Sequence, residues 1–309
     1  MCWDFVADFV RFLAWLIGCS LVARVFLCGN ADLSSPQDAY FNNEAGWCRA
    51  DAATTNFMDA GVKKGVKRLT AEVSELVYEA GAMSGVKTAD GQHVKADKVL
   101  LAAGAWTSHL LSPVEDALDL ADNDRVERQV TAVGQVSAYY TVSETESARL
   151  ADGKSRTPVI VYGNQGEMVP PSEGNKTIKV TNYRNFSNHV ETKSGRKITA
   201  PPGADGKQSE VPDQLKRETE ELAVKIMPEY VKGKKPSGWR ICWDAYTPTQ
   251  DWLACRHPHE KLKNLYIATG GSFHGYKCVH PSSPYSFSII RKSRLSMHLG
   301  FSLIVGSTF

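Results

Sequence analysis

Cys242, His274 and Lys277 are the residues whose types and setting can do chemistry in this chain. Cys242 opens a stretch rich in aromatic and polar residues, and a cysteine thiolate is a competent nucleophile toward an electrophilic carbon. The short apolar run Leu265-Tyr266-Ile267-Ala268 reads as a buried strand. It leads straight into Gly270-Gly271-Ser272-Phe273-His274-Gly275-Tyr276-Lys277. A strand ending in glycines lets a ligand approach the backbone, because Gly has no Cβ and tolerates positive φ. A Lys and a His beside such a turn can meet an anionic or polarised ligand. Each residue also has a plainer reading. Cys242 is then an inert core thiol, Lys277 an exposed loop cation, and His274 a hydrogen-bonded structural residue. Lys179 sits in the alternating run Thr177-Ile178-Lys179-Val180 and faces either inward, as a working cation, or outward, as Lys176 beside it is expected to.

The elements that must hold these residues are of mixed α/β type. Asp51 is an expected N-cap for a helix running to about Lys64, with Ala53, Phe57, Met58 and Gly61 on one face and Gly65 as the C-terminal cap. Val66 to Thr70 is expected to be a short strand. A meander follows. Val73 to Glu79 alternates, Ala80-Gly81 turns, Gly85 to Thr88 returns, and Asp90-Gly91 marks a second hairpin. Lys98 to Gly104 is a near-continuous apolar run ending in Gly, the pattern of a parallel strand buried on both faces. Cofactors sit at the carboxyl ends of such strands in open α/β sheets. Residues 126–200 read as β-rich, with strands in Gln129–Thr141, Pro158–Tyr162 and Thr177–Tyr183 and turns at Asn164-Gln165-Gly166 and Glu173-Gly174-Asn175. After the polar loop 201–213, Gln214 to Met227 reads as a helix.

The 309 residues suffice for one large or two modest domains, and 42% hydrophobic content fills a core. The 36 basic and 34 acidic residues nearly cancel, so charge gives nucleic-acid binding no support. The basic clusters Lys63-Lys64-Lys67-Arg68 and Lys232-Lys234-Lys235 read as solvated faces. Seven cysteines at irregular spacing, with no CxxC pair, argue against a disulfide framework or a zinc site and for a reducing compartment. Asp251, Arg256, His257 and His259 have no standard metal-ligand spacing and are expected in surface or loop roles. Ser272 lacks a GxSxG elbow, so hydrolase chemistry is unsupported.

Two blocks resemble the FAD-dependent amine oxidases of the sarcosine oxidase and fructosyl amino acid oxidase family. One is the segment from Cys242 to Lys277. The other runs from Tyr40 to Pro113, with YFNNEAGW, the helix after it, VSELVYEAGAMSGVKTADG and ADKVLLAAGAW. The resemblance implies a Rossmann-like FAD domain with an antiparallel substrate sheet. It implies that Cys242 carries FAD covalently and that Gly271, Ser272, Phe273, His274 and Gly275 lie along the ring system. Val73 is then placed against the adenine, and Gly104, Ala105 and Trp106 near the pyrophosphate and ring. Lys277 is implied to hold the substrate carboxylate, and Lys179 to help O2 react. The implied reaction oxidises a secondary amino acid (fructosyl amino acid, sarcosine, pipecolate or saccharopine type) with O2, giving imine and hydrogen peroxide. The implied partners are that small molecule and O2, with no nucleic acid. The implied location is cytoplasmic or peroxisomal, although Ser307-Thr308-Phe309 is not the peroxisomal tripeptide.

The expected division is an apolar leader, 1–35; a discontinuous partial FAD domain, 36–125 and 235–280; a substrate domain, 126–234; and a divergent tail, 281–309. The family's opening strand–GxGxxG–helix, which seats the diphosphate on a helix N-terminus, has no match in this sequence. The resemblance therefore covers the middle and rear of a flavoenzyme. The alternative expectation is a truncated, non-catalytic family member. The apolar stretch from Phe12 to Ala23, shorter than the roughly 20 residues of a spanning helix, leaves membrane association open in that alternative.

Overall fold

The computed structural model describes residues 42, 46–151, 157–172 and 174–275. The described chain forms two compact units, one built from residues within Gln135–Arg184 and Gln208–Cys242, the other from Arg49–Gly134, Asn185–Lys207 and residues 243–275.

The second unit begins with α1 (Ala50–Lys63). Its N-cap is Arg49, with no side-chain cap, so Asp51 lies in the first turn instead. An acidic residue there still meets the positive end of the helix. Gly65 closes the helix as expected: its φ is +95°, its N–H donates to the Val62 carbonyl, and the Val66 N–H donates to Gly61. That double bond pattern is the Schellman cap, which needs a left-handed residue. Val66 to Thr70 forms no strand. The predicted apolar face of α1 is not covered either: no residue of the helix is buried, and Phe57 is 66% exposed.

The meander forms as its alternation requires. β1 (Val73–Glu79), β2 (Ala82–Thr88) and β3 (His93–Lys95) make an antiparallel three-stranded sheet. Ala80 and Gly81 both have positive φ, the geometry of a tight turn matched to strand twist. β4 (Val99–Leu101) pairs in parallel with β13 (Leu265–Thr269), and β12 (Leu253–Arg256) pairs antiparallel on the far side of β13. Both ends of β4 are buried, as its apolar run predicts. α2 (Thr107–Ala117) follows, and a small β9–β10 ribbon (His189–Glu191 and Lys197–Thr199) completes the unit. Its core joins Leu76, Val86, Val99, Leu101, Leu111 and Ile267.

The first unit is organised on a five-stranded sheet of order β11-β5-β8-β7-β6. The strands are β5 (Thr131–Thr141), β6 (Ile160–Tyr162), β7 (Gly166–Val169), β8 (Thr177–Phe186) and β11 (Gly238–Tyr246). Helices α3 (Glu144–Ala151), α4 (Asp213–Ile226) and α5 (Pro228–Val231) accompany it. Strand alternation sends Ala138, Tyr140, Ile178 and Val180 into a core with Leu222, Ala223 and Ile226 of α4 and Tyr230 of α5. Residues one step away on the same strands must point to the opposite face. α3 starts on a capping box. The Ser143 hydroxyl accepts from the Glu146 N–H at 3.2 Å, and the Glu146 carboxylate accepts from the Ser143 N–H at 2.7 Å.

Candidate active site

On the face of the five-stranded sheet opposite the core that holds α4 and α5, Cys242, Ser137 and Thr181 come together from β11, β5 and β8. The Ser137 and Thr181 hydroxyls are 3.0 Å apart, and the Cys242 sulfur lies 3.9 Å from the Ser137 oxygen. Cys242 is half-buried and stands outside any disulfide among the described residues. Lys179 sits two residues before Thr181 on β8, so it shares this face, while Ile178 and Val180 fill the core behind it. Lys179 is half-buried, and among the described residues no carboxylate pairs with it. This answers the question the alternating run left open. Lys179 is neither in the core nor on a freely solvated edge, but on the face that carries Cys242.

Tyr139 and Arg240 belong to the same face and were not singled out by sequence. Burial, and then the neighbouring Cys242 thiol, push the Tyr139 phenol up, against the opposing pull of Arg240. Tyr139 therefore stays a neutral donor. The Nε of Arg240 is buried without a hydrogen-bond partner among the described residues. Alternation along β11 from Cys242 was the one signal that pointed to Arg240.

In the other unit, the carboxyl ends of the parallel strands β4 and β13 are tied to each other. The Thr107 hydroxyl donates to the Gly104 carbonyl at 2.7 Å, and the Thr269 hydroxyl lies 3.3 Å from both. Gly104 has φ +49°, and a methyl added there meets nothing within 4 Å. Ala105 is buried. Trp106 donates its indole N–H to the Gly203 carbonyl at 3.0 Å. Val73 packs partly buried on the core of this unit.

The turn after β13 is held by a carboxylate that sequence reading missed. Asp244 accepts from the Phe273 N–H at 2.6 Å and from the Ala245 N–H at 2.7 Å. The Ser272 N–H donates to the Ala245 carbonyl at 3.0 Å, and Ser272 and Phe273 take φ of +48° and +59°. Non-glycine residues there are strained, and these hydrogen bonds hold the conformation. The glycines serve this packing. A Cβ on Gly270 falls 2.8 Å from Thr247, on Gly271 2.9 Å from the Asp244 carboxylate, and on Gly275 2.6 Å from the Trp252 indole. Burial pushes the Asp244 carboxyl up, while the two backbone donors and His274 oppose that rise. His274 itself is exposed. Tyr276 and Lys277 lie outside the described residues.

His257 lies in the loop after β12, as one of its two expected roles has it, but it is buried there rather than on the surface. It is 2% exposed, and its Nε2 lies 3.6 Å from Oε1 of the fully buried Glu115. His259 does play a loop role, accepting the Lys261 N–H on Nδ1. Two cavities, of about 340 and 330 Å³, are lined around Arg196 and around Arg184 respectively. Both are walled by ion-paired side chains, and neither includes a residue of the Cys242 face or the Gly-rich turn. Among the described residues no helix is long and apolar enough to cross a membrane.

The family described as FAD dependent oxidoreductase matches residues 27–282. Amino acid oxidase fsqB of Aspergillus fumigatus is 21% identical over 306 residues, covering 82% of this chain and 58% of its own length. Fructosamine oxidase (Amadoriase II) from Aspergillus fumigatus, in complex with FSA, superimposes with a TM-score of 0.72 at 22% identity, over 90% of this chain and 60% of its own. Fructosyl peptide oxidase from E. terrenum does so with a TM-score of 0.63 at 27% identity, over 82% and 56%. The mixed α/β fold with antiparallel sheets is the fold of these oxidases. This chain spans 58% of the length of the curated relative.

Proposed function

From the premise that this chain belongs to the FAD-dependent oxidoreductase family, we propose that it oxidises the C–N bond of a secondary amino acid with O2 as acceptor. The products are an imine and hydrogen peroxide. The substrate class is the fructosyl amino acid, sarcosine, pipecolate or saccharopine type. One observation carries this reading: Lys179 and Cys242, far apart in sequence, share one donor-rich face of a single sheet. The names of the relatives, an amino acid oxidase and fructosyl amine and peptide oxidases, support it.

FAD supplies the two-electron acceptor when bound. Two features of the chain fit it. The open space over Gly104 admits a ligand close to the backbone. The orphaned Arg240 donor on the Cys242 face offers positive charge to an electron-rich ring system. The chain's own residues then have separable tasks. Cys242 is the tether, because its thiol is free and lies 3.9 Å from the Ser137 hydroxyl. Lys179 is a fixed cation that stabilises the negative charge developing on O2. Lys277 holds the substrate carboxylate, by resemblance. Gly271 to Gly275 line the ring system by resemblance, and Asp244 fixes their turn in place.

A second reading, a family member without turnover, draws on the uncovered helix α1. Acid precipitation of the purified protein separates the two. A yellow chromophore that stays with the polypeptide, and is absent in Cys242→Ala, is the expected result. A colourless precipitate from well-folded protein sinks the tethered-flavin reading.

A further inference from the structure

We infer that Glu115 and His257 form a proton-operated clasp between α2 and the connection from β12 to β13. A neutral carboxylic acid facing a neutral imidazole keeps the clasp shut, and loss of the Glu115 proton opens it.

Both side chains are closed to water, at 0% and 2% exposed. The proton positions follow from the hydrogen bonds. His257 Nδ1 accepts the His259 N–H at 3.2 Å, so it carries no proton itself. The ring hydrogen then sits on Nε2, which faces Oε1 of Glu115 at 3.6 Å. An imidazolium would set two donors against each other at Nδ1. The separation from Glu115 also exceeds the roughly 2.7–2.9 Å of a charge-assisted bond. Glu115 Oε1 accepts the Val126 N–H at 2.9 Å, and Oε2 has no hydrogen-bond partner among the described residues. A carboxylate with one oxygen unmatched in the core is costlier than the neutral acid. Burial accordingly pushes the Glu115 carboxyl up, and Glu127 adds to the rise, against the contacts of His257 and the Val126 N–H.

The other ionisable groups on α2 and on the elements packed against it are spent or face water. Asp116 pairs with Arg125, and Glu127 with Arg196. His109, Arg128, Glu75, Glu79 and Lys197 are exposed, and Tyr78 packs on the apolar core.

The clasp occupies one of two pins between α2 and β13. Thr107, which opens α2, lies 3.3 Å from Thr269 at the end of β13. Glu115, near the close of α2, meets His257, whose N–H donates to the Leu265 carbonyl at the start of β13 at 2.9 Å. Neutral hydroxyls therefore hold the end beside the glycine turns, and a titratable pair holds the far end. Charging Glu115 releases residues 257–265 and leaves the threonine pin in place. The folded state holds the Glu115 proton more tightly than the unfolded chain does. The clasp's contribution is complete below the ordinary 4.5 and is lost as pH rises through the folded value.

The test is urea unfolding of the full chain across pH, wild type against Glu115→Gln, whose amide keeps the shape of the neutral acid. In acid the two folding constants should agree within about tenfold. As pH rises, wild type should lose up to about tenfold per pH unit relative to the variant. Asp244 is common to both chains, so its slope cancels. Two measurements use wild type alone and carry the test if the variant does not fold. Amide exchange, read by peptide mass and corrected for intrinsic rate, should speed up with pH over residues 257–265 before it does over β4. Nitrogen-15 NMR at neutral pH should find hydrogen on His257 Nε2 only. The inference is overturned by parallel pH curves, by a variant more than tenfold weaker in acid, by exchange over 257–265 that does not lead, or by a protonated Nδ1.

Discussion

The Cys242 face and the Gly-rich turn are both dense in polar groups, yet they handle those groups in opposite ways. On the turn, every feature is spoken for by the protein itself. Asp244 holds the Phe273 N–H, Ala245 holds Ser272, and Thr247, Asp244 and Trp252 occupy the directions in which side chains would leave the glycines. On the sheet face, Lys179 has no carboxylate partner among the described residues and the Arg240 Nε is orphaned. A satisfied network fixes geometry, whereas a buried donor left unmet costs free energy; under the proposed function the sheet face is the working surface and the turn its scaffold.

The largest test of that contrast removes a working group. Lys179→Met should slow oxygen consumption about 10²-fold or more, while the urea midpoint stays at the wild-type value. A large drop in that midpoint would place Lys179 with the scaffold. Gly271→Ala should do the reverse. Its methyl meets the Asp244 carboxylate at 2.9 Å, and the overpacking should cost about 1–3 kcal/mol in denaturant unfolding.

Asp244→Asn should cost about 1–2 kcal/mol, the loss of a charge-assisted acceptor to Phe273. It should also change the pH profile. Burial raises the Asp244 pKa above its ordinary 3.8, so the folded state binds this proton more tightly than the unfolded state. The group's contribution therefore falls as pH rises from 3.8 through the folded value. The Asn variant should flatten that slope, and an unchanged slope would refute the assignment.

Glu146 provides the smallest effect and the opposite sign. Lys234 and the Ser143 cap hold its carboxyl down at about 2. Its contribution is present above the ordinary 4.5 and is lost as pH falls toward 2. Glu146→Gln should lower stability at neutral pH by less than about 1 kcal/mol. The difference from wild type should vanish in acid, as followed by circular dichroism in urea.

Local pattern made much of this molecule legible. The apolar run ending at Gly104 announced a parallel strand, Ala80-Gly81 announced a tight turn, and Gly65 announced the end of a helix, because each depends on neighbours a few residues away. The same short range explains the failures. Asp51 looked like a cap but lies in the first turn. The predicted face of α1 has the right spacing, yet nothing in the described structure covers it, since burial depends on what arrives from elsewhere. His257 does lie in a loop, but its burial against Glu115 was missed because that partner is distant in sequence.

By itself, the sequence determined the family, through two separate motif blocks, and the kinds of residue available for chemistry. Tertiary structure alone decided which of those residues are free to act. Strand order β11-β5-β8 brings Cys242 beside Ser137 and Thr181, and places Lys179 on the same face. Folding also spends Asp244 on the turn and leaves the Arg240 Nε without a hydrogen-bond partner among the described residues. Pairing and burial are sums over contacts between distant segments, so a hydrogen-bond partner far along the chain is invisible until the strands are laid side by side.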